Sequence, residues 1–135
     1  MFSEPIGYKW RENVLDKRAR HHKINYIEFA ATNLEATKKF FNDVFGWEFT
    51  DYGPEYTAYE GRGIDCGFYQ SEKVSDSSNG AALPVFYSEN LEESERRIIR
   101  AGGTIVREIF DFPGGRRFQF REPSGNELGV WSDIS

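Results

Sequence analysis

A chain of 135 residues, 39% hydrophobic and 16% aromatic, fits one folded core and is too short for two independent ones. Its net charge of -5 excludes the basic surface of a nucleic-acid partner, and no segment approaches the length of a membrane span. One cysteine, Cys66, excludes an internal disulfide; flanked by Ile64 and Phe68 it reads as a buried strand residue, and a reducing cytoplasm fits best.

Residues 1–23 read as an N-terminal arm, with six Lys/Arg against three Asp/Glu. MFSEPIGYKW lacks the basic head and apolar run of a secretory signal. The cluster KRARHHK, Lys17 to Lys23, reads as a solvated arm or a segment clasping a second copy, with contact to an anion as the alternative. His21 and His22 are the only histidines, and adjacent side chains do not normally converge on one metal.

The main domain spans 24–133, with one module at about 24–70, a polar linker SEKVSDSSNG at 71–80, and a second module at about 81–133. In INYIEF, Ile27 and Phe29 share one side of a strand and Tyr26 and Glu28 the other. NLEATKKFFNDVFG then predicts a helix capped by Asn33 and stopped by Gly46. Phe40, Phe41 and Phe45 belong to its core face, and Trp47 wedges it onto a sheet. WEFTDYG and EYTAYEG read as strands, and GRGIDCGFY sets Ile64, Cys66 and Phe68 against Asp65, Gly67 and Tyr69.

The second module follows the same order. NLEESERRIIRAGG predicts a helix, TIVREIF and RRFQFRE predict strands, and ELGVW sets Leu128 and Val130 against Glu127, Gly129 and Trp131. At an offset of 57 residues, Asn33, Leu34 and Glu35 fall on Asn90, Leu91 and Glu92, and Gly46 falls on Gly103. Both helix ends therefore align without a gap, as an internal duplication requires. The expected fold is α+β: two tandem βαβββ modules forming a curved mixed sheet, with helices on its outer face and a concave cavity opposite. Parity gives that cavity Tyr26, Glu28, Asp65, Gly67, Tyr69, Leu83, Val85, Glu127, Gly129 and Trp131, a mixture of aromatic walls, polar anchors and glycines suited to a small molecule.

The paired plan, VFGWEF after the first helix, AGG after the second, and EPSGNELGVW near the end resemble the vicinal oxygen chelate superfamily. Its small glyoxalase/bleomycin-resistance-like members are the most similar in VFGW and GNELGVW, over about residues 24–133. The resemblance implies a homodimer, and in metal-using relatives a divalent ion held by His and Glu on the first and last strands of each half. It carries those ligand positions onto Tyr26, Gly67, Leu83 and Gly129, which do not supply the three or four His, carboxylate or thiolate donors such an ion needs. No metal and no other cofactor is therefore expected.

Glu28, Asp65 and Glu127 each lie two residues from a vacated ligand position and return to the same face. They read as rim or salt-bridge carboxylates, as a shifted site for a hard cation, or, for Glu28, as a general base acting on a carbonyl compound. Arg117, Gln119 and Arg121 alternate with Phe118 and Phe120, so that strand offers compensating charge on one face. No Ser/His/Asp set, Cys/His pair, phosphate loop or dinucleotide fingerprint is present.

The leading expectation is metal-independent binding of a small organic molecule by Tyr26, Glu28, Asp65, Tyr69, Leu83, Val85, Glu127 and Trp131. A lyase, isomerase or dioxygenase using the shifted carboxylates is the alternative. A protein-interaction module is the third reading. Neither nucleic acid nor a membrane is expected as a partner.

Overall fold

The same side-chain chemistry starts both helices. Asn33 (φ -146°, ψ 93°) and Asn90 (φ -143°, ψ 92°) hold extended backbone, and their side-chain oxygens accept the N–H groups of Ala36 and Glu93. Each satisfies a donor that the first helical turn leaves unpaired. The computed structural model describes residues 21–135, so most of the expected N-terminal arm lies outside the described residues.

The elements follow the order strand, helix and three strands twice: β1 (Tyr26–Ala31), α1 (Leu34–Phe45), β2 (Phe49–Asp51), β3 (Tyr56–Tyr59) and β4 (Asp65–Gln70), then β5 (Val85–Tyr87), α2 (Leu91–Arg100), β6 (Thr104–Phe112), β7 (Gly115–Arg121) and β8 (Glu127–Ser132). The eight strands form two mixed sheets of four, ordered β1-β4-β3-β2 and β5-β8-β7-β6. β1 pairs parallel with β4 and β5 with β8, while the other pairs are antiparallel. A parallel pair needs a long crossover, and each module's helix lies within that connection. A short 3-10 turn, Ser77–Asn79, shapes the linker. No helix of the described residues is long and apolar enough to cross a membrane.

The helix ends differ in one respect from the sequence alignment. Gly46 closes α1 in the left-handed region at φ 72°, but the left-handed residue after α2 is Gly102, at φ 100°, one position ahead of the aligned Gly103. The reason is local: α2 is two residues shorter than α1, and Ala101 already caps it. Gly103 serves packing instead, because a β-carbon there would lie 2.5 Å from Ile98 Cγ2 and 3.1 Å from Phe40 Cε1.

One core joins the modules. Phe29, Phe41 and Phe68 of the first are buried with Leu91, Ile98, Phe118, Phe120, Leu128 and Val130 of the second. Phe40 meets Phe120 with ring centroids 5.8 Å apart, and Phe45 stacks on Phe86 at 4.0 Å. α1 thus reaches both sheets. Trp47 packs as a wedge, stacked on Phe41 at 4.8 Å and on Tyr59 at 4.0 Å.

A buried polar knot completes the junction. The β7–β8 turn places Glu122, Ser124 and Asn126 against the start of α1. Thr37 Oγ1 donates to Glu122 Oε1 at 2.9 Å, Asn33 N–H donates to Ser124 Oγ at 2.9 Å, and Asn126 Nδ2 donates to the Ala30 carbonyl at 2.8 Å. A further Asn126 Nδ2 bond, 2.7 Å to Glu122 Oε2, closes the knot. Apolar periodicity alone does not reveal these contacts, because they join groups about 90 residues apart.

Candidate functional site

The faces of the sheets turned away from the helices carry the predicted polar residues. On the first sheet, parallel register sets Tyr26 beside Asp65 and Glu28 beside Gly67, while β3 brings Ala58 beside Gly67 and Tyr56 beside Tyr69. Tyr26 donates to Glu28 Oε1 at 3.0 Å, Tyr56 donates to the same oxygen at 3.2 Å, and the two hydroxyls contact each other. Burial pushes the Tyr56 phenol above its ordinary pKa, so it stays a donor at neutral pH. Gly67 is the floor of this cluster, since a β-carbon there would run into both hydroxyls.

Tyr56 is the residue that sequence reasoning missed here. The alternation in EYTAYEG contained its parity, but the register sets Ala58 beside Gly67, and only the packed side chain carries the Tyr56 hydroxyl over that glycine.

The second sheet places Val85 beside Gly129, and Tyr87 beside Trp131. A β-carbon at Gly129 would touch Val85 and Leu83 side chains at 3.5 and 3.6 Å, so those two residues form an apolar floor around the glycine. Trp131 meets Tyr87 edge-on, with centroids 5.2 Å apart. Glu127 is buried and fully engaged: Ser77 donates to its Oε1 through both backbone N–H (2.9 Å) and hydroxyl (2.7 Å), and Gln119 Nε2 donates to Oε2 at 2.7 Å. Burial alone would raise this carboxyl, but those hydrogen bonds hold it below the usual range.

The predicted residues therefore gather in two sets, one on each sheet, and among the described residues no hydrogen bond links them. Asp65 accepts the Gly61 N–H at 2.9 Å and closes the turn before β4. Tyr69 is exposed at the far end of the same face. Glu28, Asp65 and Glu127 each serve a separate local network, and among the described residues no group of three or more His, Cys, Asp or Glu side chains is placed to hold a metal ion. His21 and His22 are exposed.

An apolar opening lies on the other side of the strands. It is a cleft of about 420 Å³ between the modules, with Ile27, Phe29 and Cys66 on one wall and Val85, Phe86 and Leu128 on the other. Of the predicted ligand residues only Val85 reaches it. Burial, reinforced by the Asp65 charge, pushes the Cys66 thiol up to about 11, which keeps it protonated and unreactive.

The four positions to which the family resemblance assigns metal ligands do not fit a divalent ion. Tyr26 offers one phenol already engaged with Glu28, Leu83 offers no donor, and the two glycines have none to offer. At Gly67 the tyrosine hydroxyls occupy the space a ligating side chain would need.

Residues 23–130 match the Glyoxalase/Bleomycin resistance protein/Dioxygenase superfamily. Among solved structures, a glyoxalase-related enzyme from Fulvimarina pelagi superposes with TM-score 0.69 at 20% identity, covering 82% of this chain and 88% of that one. A glyoxalase/bleomycin resistance protein/dioxygenase family enzyme from Burkholderia phytofirmans PsJN gives TM-score 0.68 at 14% identity, covering 82% and 98%. A lactoylglutathione lyase from Agrobacterium tumefaciens gives 0.62 at 20% identity, covering 82% and 93%. No curated protein matches the sequence. With the match spanning both βαβββ modules, the chain belongs to the Glyoxalase/Bleomycin resistance protein/Dioxygenase superfamily.

Proposed function

We propose that this chain binds a small organic molecule on the open faces of its sheets without a metal ion. The observation that carries the reading is Gly67, whose space is taken by the hydroxyls of Tyr26 and Tyr56, so that phenols and Glu28 stand where the resemblance puts a cation. Leu83, Val85 and Trp131 beside Gly129 supply apolar contact on the second sheet. The test is a thermal-shift screen of chelator-treated protein against planar and amphipathic molecules. A ligand at a hundred times its Kd stabilises the folded state by about 2.7 kcal/mol. The expected response is unchanged by Zn²⁺, Ni²⁺ or Mn²⁺; a response that requires one of them overturns the proposal.

Glu28 favours one chemical elaboration. A carboxylate that accepts from two phenols can take a proton from carbon beside a carbonyl, while a phenol donates to the developing enolate oxygen. Exchange of ketone α-protons in D₂O, followed by NMR and lost in Glu28→Gln, is the expected signature; equal exchange by both proteins removes the catalytic role.

The assembly we infer is a homodimer. Among the described residues β1 and β5 are edge strands of their sheets, and Ile24, Ile64 and Val85, which line the cleft between the modules, are exposed. Sedimentation is expected at twice the 15.6 kDa of the chain, and a monomer at micromolar concentration overturns this. The matching helix caps support an ancestral duplication, and the protonated, buried Cys66 is compatible with the cytoplasmic setting we propose.

A further inference from the structure

The three arginines of β7 have different surroundings. Arg116 turns to the helix side and pairs with Glu92, and Arg121 pairs with Asp76 at 3.3 Å. Arg117 has no carboxylate partner among the described residues. Among the described residues its side chain makes one hydrogen bond, from Nη2 to Gln119 Oε1 at 3.3 Å, and its buried Nε has no partner. Arg116 Nε is also buried without a partner among the described residues, but that guanidinium already holds a carboxylate.

The orientation of Gln119 is set from below. Glu127 is an acceptor, so the Gln119 amide must turn its NH₂ toward Glu127 and its oxygen toward Arg117. A guanidinium has five N–H donors, and a partly buried one left short of acceptors is poorly satisfied. Arg107 brings a second cation to the same face, its guanidinium carbon 3.6 Å from the Phe110 ring centroid, while that of Arg117 lies 5.6 Å away. Neither Arg107 nor Arg117 forms an ion pair with a described residue. Beside Arg117, strand register places Trp131, and beside Gln119 it places Gly129 with its Leu83 and Val85 floor.

We propose that Arg117 is the anion-recognition residue of this open face, and that the ligand is a small organic anion, a carboxylate or phosphonate carried on a flat apolar body. The guanidinium fork takes the anionic oxygens, and Trp131, Val85 and Leu83 take the body across the space that Gly129 leaves. This rests on the small-molecule reading above and narrows it to one charge class.

The experiment titrates the intact chain with benzoate, phenylphosphonate and neutral benzamide at about physiological salt, following NMR shifts of the Trp131 indole and the Arg117 side chain. Both anions are expected to bind at least about tenfold more tightly than benzamide. Arg117→Gln should lower anion affinity to the level of benzamide, and Arg117→Lys, which keeps the charge but loses the fork, should lower it by a smaller factor. Amide spectra establish that each variant is folded, and the lysine variant carries the comparison if the glutamine variant is not. Anions that bind no better than benzamide, or bind equally well to wild type and a folded Arg117 variant, overturn the inference while leaving the small-molecule reading standing. Binding of none of the three probes overturns both.

Discussion

Glu122 is a carboxylate with 2% exposure inside the knot that joins the modules. Burial pushes its carboxyl above the ordinary value, and hydrogen bonds from Ser124, Asn126 and Thr37 only partly offset that. Glu122→Ala leaves the Ser124 N–H and one Asn126 N–H without their acceptor, while Thr37 keeps Ser124 Oγ at 2.7 Å, and is expected to cost about 3 kcal/mol in chemical denaturation. Because the folded-state pKa is raised, the contribution linked to its proton is complete below the unfolded value of 4.5 and is lost as pH rises through the folded value. Wild type should therefore gain stability relative to Glu122→Gln as pH falls from neutral toward 4.5, the other carboxylates cancelling in the comparison. A constant difference across that range contradicts the buried-carboxylate account. In the sequence, EPSGNELGVW is legible as a phrase of the family, but nothing in it says that the first of its two glutamates, Glu122, faces a helix residue 85 positions earlier.

At the scale of elements, the helix starts were legible because a cap is local: an asparagine and the N–H three residues on are all it requires. Asn33→Ala and Asn90→Ala are each expected to cost about 1 kcal/mol, measured by thermal unfolding. A loss well below that at both sites would mean the capping bonds contribute little. Strand faces were legible for the same reason. Ile27 and Phe29, Cys66 and Phe68, and Leu128 and Val130 all lie on the helix side, as period-two alternation requires. The second helix stop was misplaced by one residue because the repeat alignment carried Gly46 onto Gly103, whereas the left-handed turn is at Gly102. Two adjacent glycines leave that choice to the length of α2 and to the crowding of Gly103 by Ile98 and Phe40.

Across the whole molecule, the two modules share one core and one polar knot, so they should unfold together. Phe40, which packs against Phe41 of its own helix and Phe120 of the other module, tests this. Phe40→Ala is expected to cost about 3–5 kcal/mol and to shift one cooperative transition, followed by calorimetry. Two separated transitions would show that the junction is weaker than its contacts imply.

Alternation and capping depend on neighbours along the chain, so residue order was enough to specify two βαβββ modules, their helix boundaries to within two residues, and the side of each strand on which Tyr26, Glu28, Gly129 and Trp131 lie. Pairing between strands depends on which distant segments bury each other, and that was decided only when the sheets packed. The fold set the Tyr56 hydroxyl over Gly67, turned Glu127 inward to orient Gln119, and divided the predicted residues between two open faces. It also left Arg117 without a carboxylate among the described residues, while Arg116 and Arg121 of the same strand pair with Glu92 and Asp76.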